Sequence, residues 1–100
     1  MNIENRTVAL LVSGSGHLDG AEITEAVSLI LALSESGFEI DYFAPDRPQL
    51  HTINHKDGSQ ADEERSILNE AARIARGNIN ALSDYRAEDY SALLLPGGFG

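Results

Sequence analysis

At 100 residues, with 42% hydrophobic and 23% charged side chains, the chain has the make-up of one globular domain or part of one. Seven basic against sixteen acidic residues leave a formal net charge of −9, which opposes nucleic acid and anionic membrane surfaces as partners. Zero cysteines exclude disulfides, thiolate metal sites and a cysteine nucleophile within these residues. No run reaches bilayer-spanning length, and residues 1–6 lack the basic start and apolar stretch of a secretory leader, so the expected location is the cytoplasm.

Residues 7–12 are almost wholly apolar and rich in branched side chains, which predicts a first strand buried on both faces. From 21 to 36, Ile23, Val27, Ile30, Leu31 and Leu33 recur at helical spacing and Gly37 stands where a C-cap belongs, so a helix follows. Residues 38–43 alternate and stop at Ala44-Pro45-Asp46, as a less buried second strand does. Residues 45–60 carry two prolines, Asn54, Asp57, Gly58 and Ser59 and read as a loop. A second helix is expected from Asp62-Glu63-Glu64 to Arg76, acids first and bases last, with Ile67, Leu68, Ala71, Ile74 and Ala75 as its apolar face. Residues 78–89 read as a polar connection, and 90–95 as a third strand running into Pro96-Gly97-Gly98-Phe99-Gly100.

Strands alternating with helices imply an α/β fold, with a mainly parallel sheet and right-handed crossovers. Ligands of such sheets bind beyond the C-terminal strand ends, where the strand order reverses. With the first strand between the second and third, Ser13-Gly14-Ser15-Gly16 and Pro96-Gly97-Gly98 face one crevice and offer backbone N–H groups to developing negative charge. Parallel strands are covered on both faces, and no helix follows the last turn; the expectation is the N-terminal part of a longer single domain. A nucleotide cradle is the rival use of Gly14, Gly16 and Gly20, with Asp41 or Asp46 as ribose partner, but Asp19 at the helix N-terminus would repel a pyrophosphate.

Glu22 and Glu25 open the helix that rises from this crevice, one turn apart on one side. Asp19 as N-cap with Glu22 three residues on fits a capping box, so Glu22 has a structural role to weigh against a catalytic one. Glu25 lies past the cap beside Ile23, Ala26 and Val27; partial burial there would favour a proton-carrying carboxyl able to share a proton with a nucleophile. His17 in the glycine turn either lines the crevice or is an exposed loop residue. His51 and His55 are four apart, in turn-rich surroundings that lack the helix needed to align them on a metal, and read as surface.

The stretch from Ser13 to Val27 resembles the opening of ElbB-type isoprenoid biosynthesis glyoxalases, a branch of the ThiJ/PfpI group in the class I glutamine amidotransferase-like superfamily. Phe43-Ala44-Pro45-Asp46, Ile53-Asn54-His55, residues 69–77 and Leu95-Pro96-Gly97-Gly98-Phe99-Gly100 are similar to that family's later segments, in order. The resemblance implies a flavodoxin-like three-layer sandwich, usually a homodimer, covered here over about its first half. It implies a nucleophilic cysteine beyond Gly100, held by an acid that maps onto Glu25 or Glu22, with Gly97 and Gly98 giving oxyanion N–H groups. From the crevice reading above, Gly14, Ser15 and His17 join them as candidate substrate-binding residues. The implied substrate is a small glyoxal-type 2-oxoaldehyde, handled with no metal and no added cofactor. Ser15 departs from the family, whose members often carry cysteine there. The competing expectation is a non-catalytic half-domain that acts by self-association through its open sheet edge.

Overall fold

The computed structural model describes residues 5–100; residues 1–4, where the leader reading falls, lie outside them. The chain runs β1 (Thr7–Leu11), α1 (Ile23–Glu35), β2 (Glu39–Ala44), α2 (Ile67–Ala75), β3 (Ile79–Ala81) and β4 (Leu93–Leu94), with two 3₁₀ turns, Leu82–Asp84 and Ala87–Asp89, between the last strands. All pairings are parallel and the strand order is β3-β2-β1-β4. The α/β sheet of the flavodoxin-like class is therefore present, and β1 lies between β2 and the last strand as expected.

Each helix has a local cause. α1 ends in a Schellman arrangement: Phe38 N–H donates to Leu33 C=O at 3.0 Å and Gly37 N–H to Ser34 C=O at 3.1 Å, with Gly37 at φ +82°. α2 is capped by Ser66, whose hydroxyl accepts Asn69 N–H at 3.1 Å. Two crossovers of one hand in one direction put both helices on the same face. There Leu10, Val12, Ala21, Ala44, Ile67 and Ala71 form the core, with Leu29, Ile30, Tyr42 and Ile74 packed around it. Leu10 and Val12 are fully buried, each contributing roughly 1.5–3 kcal/mol. The chain from β3 to β4 returns across the other face, where Tyr85 and Tyr90 set their edges against Phe43 at 5.5 and 5.7 Å.

The structure corrects several boundaries. Residues 79–81, expected in a polar connection, pair with Tyr42, Phe43 and Ala44 as β3. The last strand shrinks from 90–95 to Leu93–Leu94. α1 starts at Ile23 rather than 21, because Ala21 bridges to Gly98 instead. α2 starts at Ile67 rather than Asp62. The preceding segment pairs with the loop after β2: Ala61 N–H donates to Thr52 C=O at 2.7 Å and Gln49 N–H to Arg65 C=O at 2.7 Å. Asp62, Glu63 and Glu64 are thus outside the helix and exposed.

Candidate functional site

The order β3-β2-β1-β4 reverses between β1 and β4, and the two glycine turns beyond those strands meet there. Ala21 N–H donates to Ser13 C=O at 3.0 Å, and Gly16 and His17 both donate to Ala21 C=O at 3.0 Å, which closes the first turn on itself. The second turn is sewn to it: Glu22 N–H donates to Gly97 C=O at 2.7 Å and Phe99 N–H to His17 C=O at 2.7 Å. His17 adopts φ +69°, unusual for a residue with a side chain, and its exposed ring meets Phe99 edge to face at 5.6 Å.

Glu22 and Glu25 stand at the start of α1, on the seam between the turns. Glu22 is itself the N-cap, its Oε1 accepting Glu25 N–H at 3.0 Å, so the capping role falls to Glu22 and not to Asp19. Glu25 is exposed rather than partly buried. Its Oε1 accepts the N–H of Gly97 at 2.9 Å. That N–H is therefore committed to Glu25 and not offered to the crevice, whereas Gly98 N–H has no acceptor among the described residues. Close approach demands glycine at position 98, against backbone, and lets the Glu25 carboxylate in at position 97. A Cβ on Gly97 would lie 2.7 Å from Glu25 Oε1, and one on Gly98, at φ +116°, would collide with Gly20 C=O and stand 2.6 Å from Glu22 N.

Gly14 is buried behind the turn and Ser15 is turned away from the crevice, its hydroxyl donating to Glu70 C=O at 3.3 Å. The nucleotide cradle loses its basis, since the Glu22 carboxylate, accepting Glu25 N–H at 3.0 Å, puts a negative charge at the start of α1, where a pyrophosphate would have to bind. Asp41, one of its ribose partners, instead accepts the Tyr90 hydroxyl at 2.8 Å. That bond and burial push the Tyr90 phenol up to about 12, burial being the larger cause.

Sequence reasoning missed Asp19 and His55. The Asp19 side chain is 7% exposed, and its Oδ2 accepts Ile53 N–H at 2.8 Å from the loop after β2. His55 Nε2 lies 3.3 Å from Leu18 N and 3.6 Å from Asp19 Oδ1, and its Nδ1 lies 3.0 Å from Ile53 O. The only available signal was Ile53-Asn54-His55 as a segment shared with the resembled family. A cleft of about 550 Å³ opens next to this contact, between the first turn and the loop, with Ser13, Leu18, Arg47, His51 and Phe99 in its walls. Glu25 and Gly97 lie outside those walls.

The parallel α/β sheet with paired glycine turns at its switch point matches the fold of an amidotransferase-like domain in the comparisons with known proteins. No family model matches the chain. Over 94 residues it is 48% identical to the human "Glutamine amidotransferase-like class 1 domain-containing protein 3, mitochondrial", covering 93% of this chain and 35% of that protein. The rat "ES1 protein homolog, mitochondrial" matches equally, and the zebrafish "ES1 protein, mitochondrial" is 34% identical over 104 residues, covering 99% of this chain and 38% of that one. A solved isoprenoid biosynthesis protein with an amidotransferase-like domain from Ehrlichia chaffeensis superposes with a TM-score of 0.90 at 39% identity, covering 92% of this chain and 43% of that one. The chain spans little more than a third of the length of these curated relatives, of which the human one is by name a glutamine amidotransferase-like class 1 domain protein.

Proposed function

We propose that these residues form the N-terminal part of an ElbB-type, cofactor-independent glyoxalase that converts small 2-oxoaldehydes to 2-hydroxy acids, with the nucleophilic cysteine supplied beyond Gly100. The observation that carries this reading is Glu25 Oε1 on Gly97 N–H at 2.9 Å, a carboxylate held at the seam of the two glycine turns. A thiolate adds to the aldehyde carbon, and the new oxyanion takes the N–H of Gly98, which has no acceptor among the described residues. Glu25 carries the C1 proton to C2, giving a 2-hydroxy thioester. Water then releases the 2-hydroxy acid and the thiolate, so one substrate and one water give one product. The link to isoprenoid biosynthesis, carried in the name of the Ehrlichia protein, belongs to the same proposal.

The test is glycolate formation from glyoxal, followed by proton NMR without added cofactor, in a longer gene product that carries these residues and a downstream cysteine. Turnover that falls about 10²-fold or more in Glu25→Gln supports the reading. Turnover indifferent to Glu25 and to the cysteine refutes it. A cytoplasmic location is part of the proposal and is decided by cell fractionation, since the human, rat and zebrafish relatives carry "mitochondrial" in their names.

Self-association is the second reading, favoured by Leu93 and Leu95, which stand 41% and 60% exposed at the β4 edge of the sheet. A homodimer by light scattering that dissociates in Leu95→Lys supports it, and a monomer at all concentrations ends it.

A further inference from the structure

We propose that Asp19 and His55 form a pH-responsive pin that positions the first glycine turn, and through it the Phe99 turn. A carboxylate at 7% exposure is costly unless paired, and Asp19 has one backbone donor, Ile53 N–H at 2.8 Å. Within ion-pair distance of it among the described residues stands one group able to carry positive charge, His55, with Nε2 at 3.6 Å. Gly16 leaves the room for this approach: a Cβ there would lie 2.5 Å from Asp19 Oδ1 and 3.3 Å from His55 Cε1.

The Nε2 atom has two exclusive partners. In the neutral ring with its proton on Nδ1, that proton goes to Ile53 C=O at 3.0 Å and Nε2 accepts Leu18 N–H at 3.3 Å. In the protonated ring Nε2–H turns to Asp19 Oδ1. Leu18 N–H loses little by this, because it already donates to Gly16 C=O at 2.8 Å, while Asp19 gains a cation. Of the neighbouring charges on the loop, Asp57 accepts Ser59 N–H at 2.8 Å and its hydroxyl at 2.7 Å and makes no ion pair with His55 among the described residues, and Lys56 bears the same sign as the protonated ring. Protonation therefore tightens the tie between the loop and residues 16–19. His17 C=O, the acceptor for Phe99 N–H, is in that turn, and Leu18 and Phe99 are walls of the cleft.

The pin stands apart from the glyoxalase reading, and its test reads amide protons rather than turnover. Hydrogen exchange at Ile53 and Phe99, corrected for intrinsic rates, is measured across about pH 5 to 8, where imidazoles change charge. Protection rises about two- to fivefold toward the acid end, the size of a partly exposed ion pair. His55→Gln, which keeps an acceptor near the Nε2 position, and Asp19→Asn, which keeps an acceptor for Ile53 N–H, each flatten that dependence. A flat wild-type profile, or a wild-type slope retained in either variant, overturns the proposal.

Discussion

The carboxylate of Glu25 and the backbone N–H of Gly97, 72 residues apart in sequence, meet at 2.9 Å. The contact exists because Glu22 caps α1 and binds the same turn through its own N–H, bringing the first helical turn against the end of β4. It exists also because position 97 has no Cβ to fill the space the carboxylate occupies. Gly97→Ala therefore expels the Glu25 carboxylate while leaving its charge in place. The expected outcome is an upfield move of the residue 97 amide proton and a loss of about 1 kcal/mol in urea unfolding, the scale of one exposed charge-assisted bond. An unmoved amide proton would refute the contact.

On the opposite face, Tyr90 donates to Asp41 at 2.8 Å and stacks on Tyr85 at 5.7 Å between ring centres. Its phenol is pushed up to about 12 from a usual value near 10. The folded state thus holds this proton more tightly than the unfolded chain, so the stabilisation is complete below about pH 10 and is lost as pH rises toward 12. Tyr90→Phe leaves the half-buried Asp41 without its donor, costs about 1–3 kcal/mol at neutral pH, and removes the late phenolate step from an ultraviolet titration.

The apolar run at 7–12 and the helical spacing from Ile23 to Leu33 made β1 and α1 legible, and with them the switch point between β1 and β4. What escaped depends on partners distant in sequence. Residues 79–81 are a strand because β2 offers a free edge; nothing in Ile79-Asn80-Ala81 announces it. Asp19 precedes a helix as an N-cap does, but its carboxylate is taken by Ile53, 34 residues on. Ser15 is in the expected turn, yet α2 draws its hydroxyl away from the crevice. Gly97 was visible as a donor, whereas its commitment to Glu25 required the fold.

The start of α2 separates a charge rule from a capping rule. Three acids at 62–64 suit a helix dipole, but the first turn is set by Ser66 over Asn69 N–H at 3.1 Å. Ser66→Ala is expected to cost about 1 kcal/mol of unfolding free energy. Glu64→Gln, in an exposed segment before the helix, is expected within about 0.5 kcal/mol of wild type. Equal effects in denaturant titrations would return the helix start to the acids.

Gly98 is where fold and candidate site depend on one atom that is missing. Its φ of +116° is reserved for glycine, and a Cβ would strike Gly20 C=O and crowd Glu22 N, the donor to Gly97 C=O. Gly58, at φ +79°, has nothing within 4 Å of its own Cβ position, so Gly58→Ala carries the conformational cost alone. Gly98→Ala should exceed that control by at least about 1 kcal/mol in thermal or urea unfolding, because the seam must open to admit the methyl. It should also release Phe99 N–H from His17, seen as faster exchange at that amide. Equal losses in the two variants would mean that the turns are not in contact at this point, and the assignment of Gly98 to an oxyanion would fall with them.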